Sequence, residues 1–262
     1  MSEGAKPASE MVQRIVVGAI LIVTAVAALW YGDIAFWVLA TAAAIVMVSE
    51  FAGLLKVPDQ HRRLSMFAIC IPLGILSPLA VGPDFFALGL IAGMATAVAI
   101  VARSPKLGLG LVYVGLPVFA LLWLREQPGN GLLLTLWALS LVWATDIGAF
   151  FAGRSIGGPK IAPAISPSKT WAGLGGGVVA ATALAYALSK SFSLHPNLVL
   201  ATPLLAVAAQ AGDFLESWMK RRAGVKDSGT LLPGHGGVLD RLDGVVTSAP
   251  LAALIVAAGL SA

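Results

Sequence analysis

Charge is scarce in this chain. Asp, Glu, Lys and Arg make up 11% of its 262 residues, where an ordinary soluble domain carries about 25%. With 58% hydrophobic residues and a mean hydropathy of +0.89, the scarcity excludes a soluble globular fold and points to a membrane protein. Cysteine is nearly missing as well. Cys70 stands alone in an apolar run, so no intramolecular disulfide can form, and it reads as a small buried hydrophobe. Segments of about ten residues that alternate apolar and polar positions are also missing, which argues against a transmembrane barrel. There is no internal repeat or low-complexity segment. Gly108 and Gly110 do not make a nucleotide-binding fingerprint, because that motif needs a strand, a turn and a helix in sequence.

What the chain has in abundance is apolar runs of helical length. Crossing a hydrocarbon layer of about 30 Å takes roughly 20 helical residues, and such runs recur along the whole sequence. We read nine spans, near 15–31, 34–54, 64–81, 85–102, 107–124, 132–152, 171–189, 198–218 and 244–261. The expected fold is therefore all-α, a single polytopic membrane domain over residues 1–262. The first apolar run continues to Trp30 and more spans follow, so it reads as a span and not as a cleaved signal. Cytoplasmic loops are enriched in Lys and Arg. With the amino terminus in the cytoplasm, fifteen of the seventeen Lys and Arg residues fall inside, leaving only Arg125 and Lys190 outside. The two long loops, 153–170 and 219–243, both land on the cytoplasmic side.

Small residues in Gly173-Leu-Gly-Gly-Gly177, Ala180 and Ala181 read as helix packing. Carboxylates inside spans are the exceptions, because each costs about 2.5–3.5 kcal/mol at the bilayer centre. Glu50, Asp146, Asp213 and Glu216 are the four. Glu50 reads as structural or interfacial, near the cytoplasmic surface beside Lys56. Asp213, Glu216, Ser217 and Lys220 are spaced to share one helix face. Residues 213–243 hold ten of the thirty charged residues, a density that suggests a site. Carboxylates interleaved with Lys and Arg suit a divalent cation bridging phosphates, since magnesium takes one or two carboxylates and completes its shell with phosphate and water oxygens. Asp240 and Asp243, three apart, share a face that can meet Asp213 across a helix pair. Gly234, Gly236 and Gly237 let backbone N–H groups approach an anion. His235 has no cysteine or second histidine nearby and does not read as a zinc ligand. The other long loop carries Arg154, Lys160, Ser166, Ser168, Lys169 and Thr170, and Thr170 can cap the helix that follows.

These residues resemble the signature of the phosphatidate cytidylyltransferase (CDP-diacylglycerol synthase) family: Ser217-Trp-Met-Lys220-Arg221, Lys226-Asp227, His235-Gly236-Gly237 and Asp240-Arg241-Leu-Asp243. Asp146-Ile-Gly-Ala-Phe-Phe-Ala-Gly-Arg154 and Ile165-Ser-Pro-Ser-Lys169-Thr-Trp171 resemble further family segments. Ser168 and Ala172 depart from the lysine and glutamate that members often carry there. The resemblance covers about residues 145–245. It implies magnesium-dependent transfer of the cytidylyl group of CTP to phosphatidate, giving CDP-diacylglycerol and pyrophosphate at the cytoplasmic face of a bacterial inner membrane. It implies metal ligation by Asp213 and Asp240 with Asp243 near, room for a second cation, and a homodimer in a lipid environment with no nucleic-acid partner. The expected catalytic set is Asp213, Asp240, Lys220, Arg221, Lys226 and Arg241. The expected substrate-binding set is Asp146, Ser166, Lys169, Thr170, Glu216, Ser217, Asp227, His235, Gly236 and Gly237. Residues 1–131 would be scaffold with dimer contacts, and 132–262 would carry the site. A CTP-dependent lipid kinase and an ion-coupled transporter are the alternatives.

Overall fold

Hydrocarbon offers no water to a peptide N–H or C=O, so apolar runs fold as helices that satisfy their own backbone. The coordinates are a computed structural model, which describes residues 6–232 and 236–260. Nine α-helices are described: α1 Lys6–Tyr31, α2 Asp33–Leu54, α3 Asp59–Ile75, α4 Phe85–Val101, α5 Pro105–Arg125, α6 Gly131–Ser155, α7 Trp171–Phe192, α8 Pro196–Ala223 and α9 Leu239–Ile255. Between α6 and α7 lie two short strands, β1 Lys160–Ala162 and β2 Ser166–Thr170, paired antiparallel with Lys160 opposite Thr170. The fold is thus helical with one small hairpin, which the all-α expectation did not include.

Local chemistry sets the helix ends. Asp84 Oδ1 accepts from Phe86 N at 3.0 Å to open α4, and Ser104 Oγ accepts from Leu107 N at 3.3 Å to open α5, the usual way an orphan N–H is satisfied. At the other end of α8, Gly224 takes φ 75° and the N–H groups of Gly224 and Val225 turn back onto Arg221 and Lys220. Helix α3 stops at Ile75 and not near 81, because Leu76 caps it and Ser77-Pro78 cannot continue a helix. Helix α9 starts at Leu239, five residues before the apolar run, so Asp240, Arg241 and Asp243 belong to its first turns.

Six helices among the described residues are long and apolar enough to cross a membrane: α2, α5, α6, α7, α8 and α9 with its terminal π turn. The apolar part of α1, Val16–Tyr31, and α4 are shorter, and α3 has 17 residues with a charged start. Nine helices therefore stand where nine spans were expected, but six meet the spanning criteria. Large apolar side chains such as Ile100, Val179 and Leu200 face outward, which suits lipid contact in an integral membrane protein. Cys70 is exposed, contrary to the buried reading, and its thiol donates to the Met66 carbonyl at 3.1 Å. An apolar lipid-facing surface accepts such a residue as readily as a core does.

Two cores result. One gathers α2 to α5 around Ile69, Leu73, Leu107 and Leu111; the other gathers α6 to α9 around Trp137, Leu141, Leu198 and Leu205. Trp137 satisfies its indole N–H on Thr202 Oγ1 at 3.0 Å inside the second. Helix α9 belongs to both, with Leu239 and Val246 in the first and Val245, Ala249 and Ala252 in the second. The charged start of α9 is consequently held at the seam between them.

Candidate active site

Helix α8 has 28 residues and is about 42 Å long at 1.5 Å per residue. An apolar layer of about 30 Å cannot cover it. Its excess length carries the polar face that begins at Asp213. Glycines bring α9 against that face: a Cβ on Gly212 would collide with the Asp243 carbonyl and Thr247 Oγ1, and one on Gly244 would meet Val142 at 2.7 Å and Ala209 at 3.4 Å. Thr247 Oγ1 donates to the Ala208 carbonyl at 2.6 Å across the same seam. On the opposite side, Gly148 of α6 faces Gly176 and Ala180 of α7 without room for a side chain, in keeping with the small-residue packing read from the sequence.

Two carboxylate clusters follow. The first lines a partly open cavity of about 410 Å³ formed by α6, β2, α7 and α8. Asp146, Lys169, Thr170 and Asp213 all line it, together with Arg154 and Gln210. Lys169 forms an ion pair with Asp213 and sits 4.5 Å from the centre of the Phe214 ring. Asp213 also accepts from Ser217 Oγ at 3.3 Å, and Asp146 accepts from Gln210 Nε2 at 3.2 Å. Asp146, Asp213 and Asp243 are close enough to act on one another electrostatically.

In the second cluster Asp240 is nearly saturated, while Oε1 of Glu216 is buried without a partner among the described residues. Lys220 bridges Glu216 at 2.5 Å and Asp240 at 2.7 Å, and Glu216 is fully buried. The other oxygen of Asp240 accepts from Gly237 N at 2.7 Å, Ser228 N at 2.9 Å and Ser228 Oγ at 3.0 Å. Glu50, reaching in from α2, accepts from Leu239 N at 2.8 Å and Val238 N at 3.0 Å, and lies 3.1 Å from Ser228 Oγ, whose single proton it shares with Asp240. It thereby caps α9 and ties down the loop that carries the charged motif. Gly229 and Gly237 press against its carboxylate, where an added Cβ would come within 2.5 and 2.6 Å of its oxygens. Gly236, at φ 81°, leaves a similar gap of 2.7 Å to Asp240.

The sequence-predicted residues therefore divide. Asp146, Lys169, Thr170, Asp213 and Ser217 meet at the first cluster; Glu216, Lys220, Gly236, Gly237 and Asp240 meet at the second. Thr170 is 2% exposed and its hydroxyl accepts from Gly173 N at 3.0 Å, so it caps α7 while lining the cavity. Ser166 is buried in β2 and does not line the cavity. Arg221, Lys226, Asp227 and Arg241 are exposed and form no ion pair among the described residues. His235 lies outside the described residues. Asp213, Asp240 and Asp243 do not form one compact ligand group; among the described residues no trio of acidic, His or Cys side chains does. Their chemistry nevertheless suits a hard cation, because carboxylate oxygens are the ligands magnesium takes and Asp213 and Asp240 each already bind one lysine ammonium.

Three residues have partners or positions that the sequence does not assign. Arg154 reads as loop charge at the end of a family-like segment, and the structure places it in the cavity lining. Gln210 is an amide inside an apolar span, three residues before Asp213, and that polarity was its signal. Glu50, an acid within a span, is structural as its sequence reading has it, but its partners are the backbone N–H groups that open α9, and it is 7% exposed.

With this geometry in hand, similarity to known proteins is specific. A profile of the cytidylyltransferase family matches residues 12–258. The phosphatidate cytidylyltransferase of Brucella suis is 37% identical over 251 residues, covering 93% of this chain and 92% of its own length. That of Rickettsia felis is 33% identical over 204 residues, 73% of this chain and 89% of its own. That of Haemophilus influenzae is 43% identical over 132 residues, 48% of this chain and 46% of its own.

Proposed function

This chain belongs to the cytidylyltransferase family, and from that premise we propose that it transfers the cytidylyl group of CTP to phosphatidate, forming CDP-diacylglycerol and pyrophosphate for phospholipid biosynthesis. The observation that carries this reading is the cavity in which Asp146, Lys169 and Asp213 meet beside the saturated motif loop. An oxygen of the lipid phosphate forms a bond to the α-phosphorus of CTP, and the bond from that phosphorus to the oxygen bridging to the β-phosphate breaks. A phosphate monoester has its second pKa near 6, so the attacking oxygen is already largely deprotonated at neutral pH and no general base is needed.

The obstacle is repulsion between two polyanions, about 4 kcal/mol for each pair of unit charges 4 Å apart at an effective dielectric of 20. Lys169 and Arg154, which line the cavity, lower that cost by fixed positive charge. Lys220, held between Glu216 and Asp240, positions the start of α9. Arg221, Lys226 and Arg241 stand exposed around the loop, where they can contact phosphates. Asp213, Asp240 and Asp243 are the proposed holders of magnesium, which when bound supplies further neutralisation of the triphosphate.

Phosphate chemistry must happen while acyl chains stay in the bilayer. Phe150, 59% exposed, and Leu174 both line the cavity, which supports a polar groove open sideways to lipid. Nine crossings with the amino terminus in the cytoplasm, a site facing the cytoplasm where CTP is found, residence in a bacterial inner membrane and a homodimer complete the proposal; the fifteen-to-two distribution of Lys and Arg supports the orientation.

Incubating the purified protein with cytidine-labelled CTP and phosphatidate, with and without magnesium, tests the reading. Label in the lipid with stoichiometric pyrophosphate is expected only with magnesium. Release of CDP with a phosphorylated alcohol would identify a lipid kinase instead.

A further inference from the structure

A second cavity, of about 370 Å³, lies on the other side of α8, among the carboxyl ends of α2 and α8 and the amino end of α5. It shares no lining residue with the first. Arg222 follows Asp213 by nine residues, which at 3.6 residues per turn places the two on opposite faces of the helix. Phe51 and Leu109 make an apolar wall, with Leu109 65% exposed, and Trp218 stands at the edge. Lys56, Lys106 and Arg222 form the polar part of the lining, which contains no carboxylate.

The lining carries charge of one sign only. Among the described residues none of the three cations has a carboxylate within 4.0 Å, and Arg222 only lies over the Trp218 ring at 5.4 Å. Cations near the ends of α2 and α8 are explained by the negative end of a helix dipole. Lys106 is not: it follows Pro105 in the first turn of α5, where the dipole is positive and favours an anion. A positive helix end and three unpaired cations converge above an apolar wall.

We propose that this cavity binds an anionic phospholipid as a non-substrate ligand, its phosphate among Lys56, Lys106 and Arg222 and its acyl methylenes against Phe51 and Leu109. An interfacial tryptophan beside basic side chains is how membrane proteins meet the headgroup layer. A nucleotide would use the cations but leave the apolar wall unfilled. A second copy of this chain would bring the same excess of positive charge to the cavity.

Native mass spectrometry of the purified protein mixed with phosphatidylglycerol or phosphatidylcholine tests the proposal. Retention of phosphatidylglycerol and not of phosphatidylcholine is expected. Removing two of the three cations in K56Q/K106Q should weaken that retention about thirtyfold without changing turnover of CTP and phosphatidate in a neutral-lipid background. Filling the cavity with Leu109→Trp, which keeps every cation, should displace the lipid too. Equal retention of both lipids, or wild-type retention in K56Q/K106Q, would overturn the proposal. So would displacement by inorganic phosphate, which would show that the cations read a free anion, and so would loss of a dimer in place of loss of lipid.

Discussion

The two carboxylate clusters of α8 begin three residues apart and differ in kind. Around Asp240 nearly every acceptor is used: one ammonium, two backbone N–H groups and a serine hydroxyl converge on two oxygens. Around Asp213 the partners are fewer and a cavity adjoins them. A saturated carboxylate holds structure in place, whereas one beside open space can exchange its partner for a ligand. The contrast explains why one motif contains both kinds. The Asp240 cluster fixes the amino end of α9, and that placement packs the Asp243 backbone against Gly212, next to Asp213.

The widest separation between the clusters is expected from Asp213→Asn. Pyrophosphate release should fall at least about a hundredfold, the usual scale for losing one preorganised electrostatic group, while the thermal unfolding midpoint in detergent stays at the wild-type value. Near-normal turnover would break the assignment. Asp240→Asn should also abolish turnover, and in a protein that still inserts and purifies it should lower the midpoint as well. Lys220 stays paired with Glu216, but the new amide group opposes either the Lys220 ammonium or the Gly237 and Ser228 donors, and an unmet buried donor costs about 1–3 kcal/mol. An unchanged midpoint would show that the Asp240 cluster is not structural.

Glu50→Gln is the next step down. An amide in place of the carboxylate keeps one acceptor and sets its NH2 against the N–H of either Val238 or Leu239, at a cost of about 1–3 kcal/mol. A loss carried by kcat more than by KM for CTP, with partial recovery in Glu50→Asp, is expected if the residue positions the loop. Gly237→Ala, whose Cβ would press on both the Ser228 hydroxyl and the Glu50 carboxylate, should give a similar but smaller defect, about 1–3 kcal/mol from overpacking, read from the thermal midpoint. Gln210→Ala should be mildest, about 1.5 kcal/mol for one long hydrogen bond to a carboxylate, and should be read from the KM for CTP.

Much of this arrangement was legible in the residues alone. Apolar runs located every helix, because backbone satisfaction in lipid leaves few other solutions. The i, i+3 and i+4 spacing placed Asp213, Glu216, Ser217 and Lys220 on one face, and the pairing of α8 with α9 followed from Asp240 and Asp243. Two things were not legible. The division of that face into two clusters depends on which way Lys169 and Lys220 reach, and both are flexible side chains whose choice is made by distant elements. Glu50 lies about 180 residues from its partners, so no local pattern could connect it with Ser228 or Leu239. Helix ends were set by caps and prolines, as at Ile75 and Leu239, and hydropathy is blind to these.

The tie between Glu50 and α9 also orders events during biosynthesis. Glu50 and Val238 are 188 residues apart, a stretch that a ribosome working at 5–20 residues per second takes roughly 10–40 s to make. For that interval the Glu50 carboxylate sits near the membrane with none of its eventual backbone donors yet synthesised. The motif loop is therefore completed late, and its capture by Glu50 marks the moment at which the first-made and last-made helices become one molecule. A nascent chain arrested before residue 238 should lack that lock, and should remain open to proteases at the end of α2 until translation resumes.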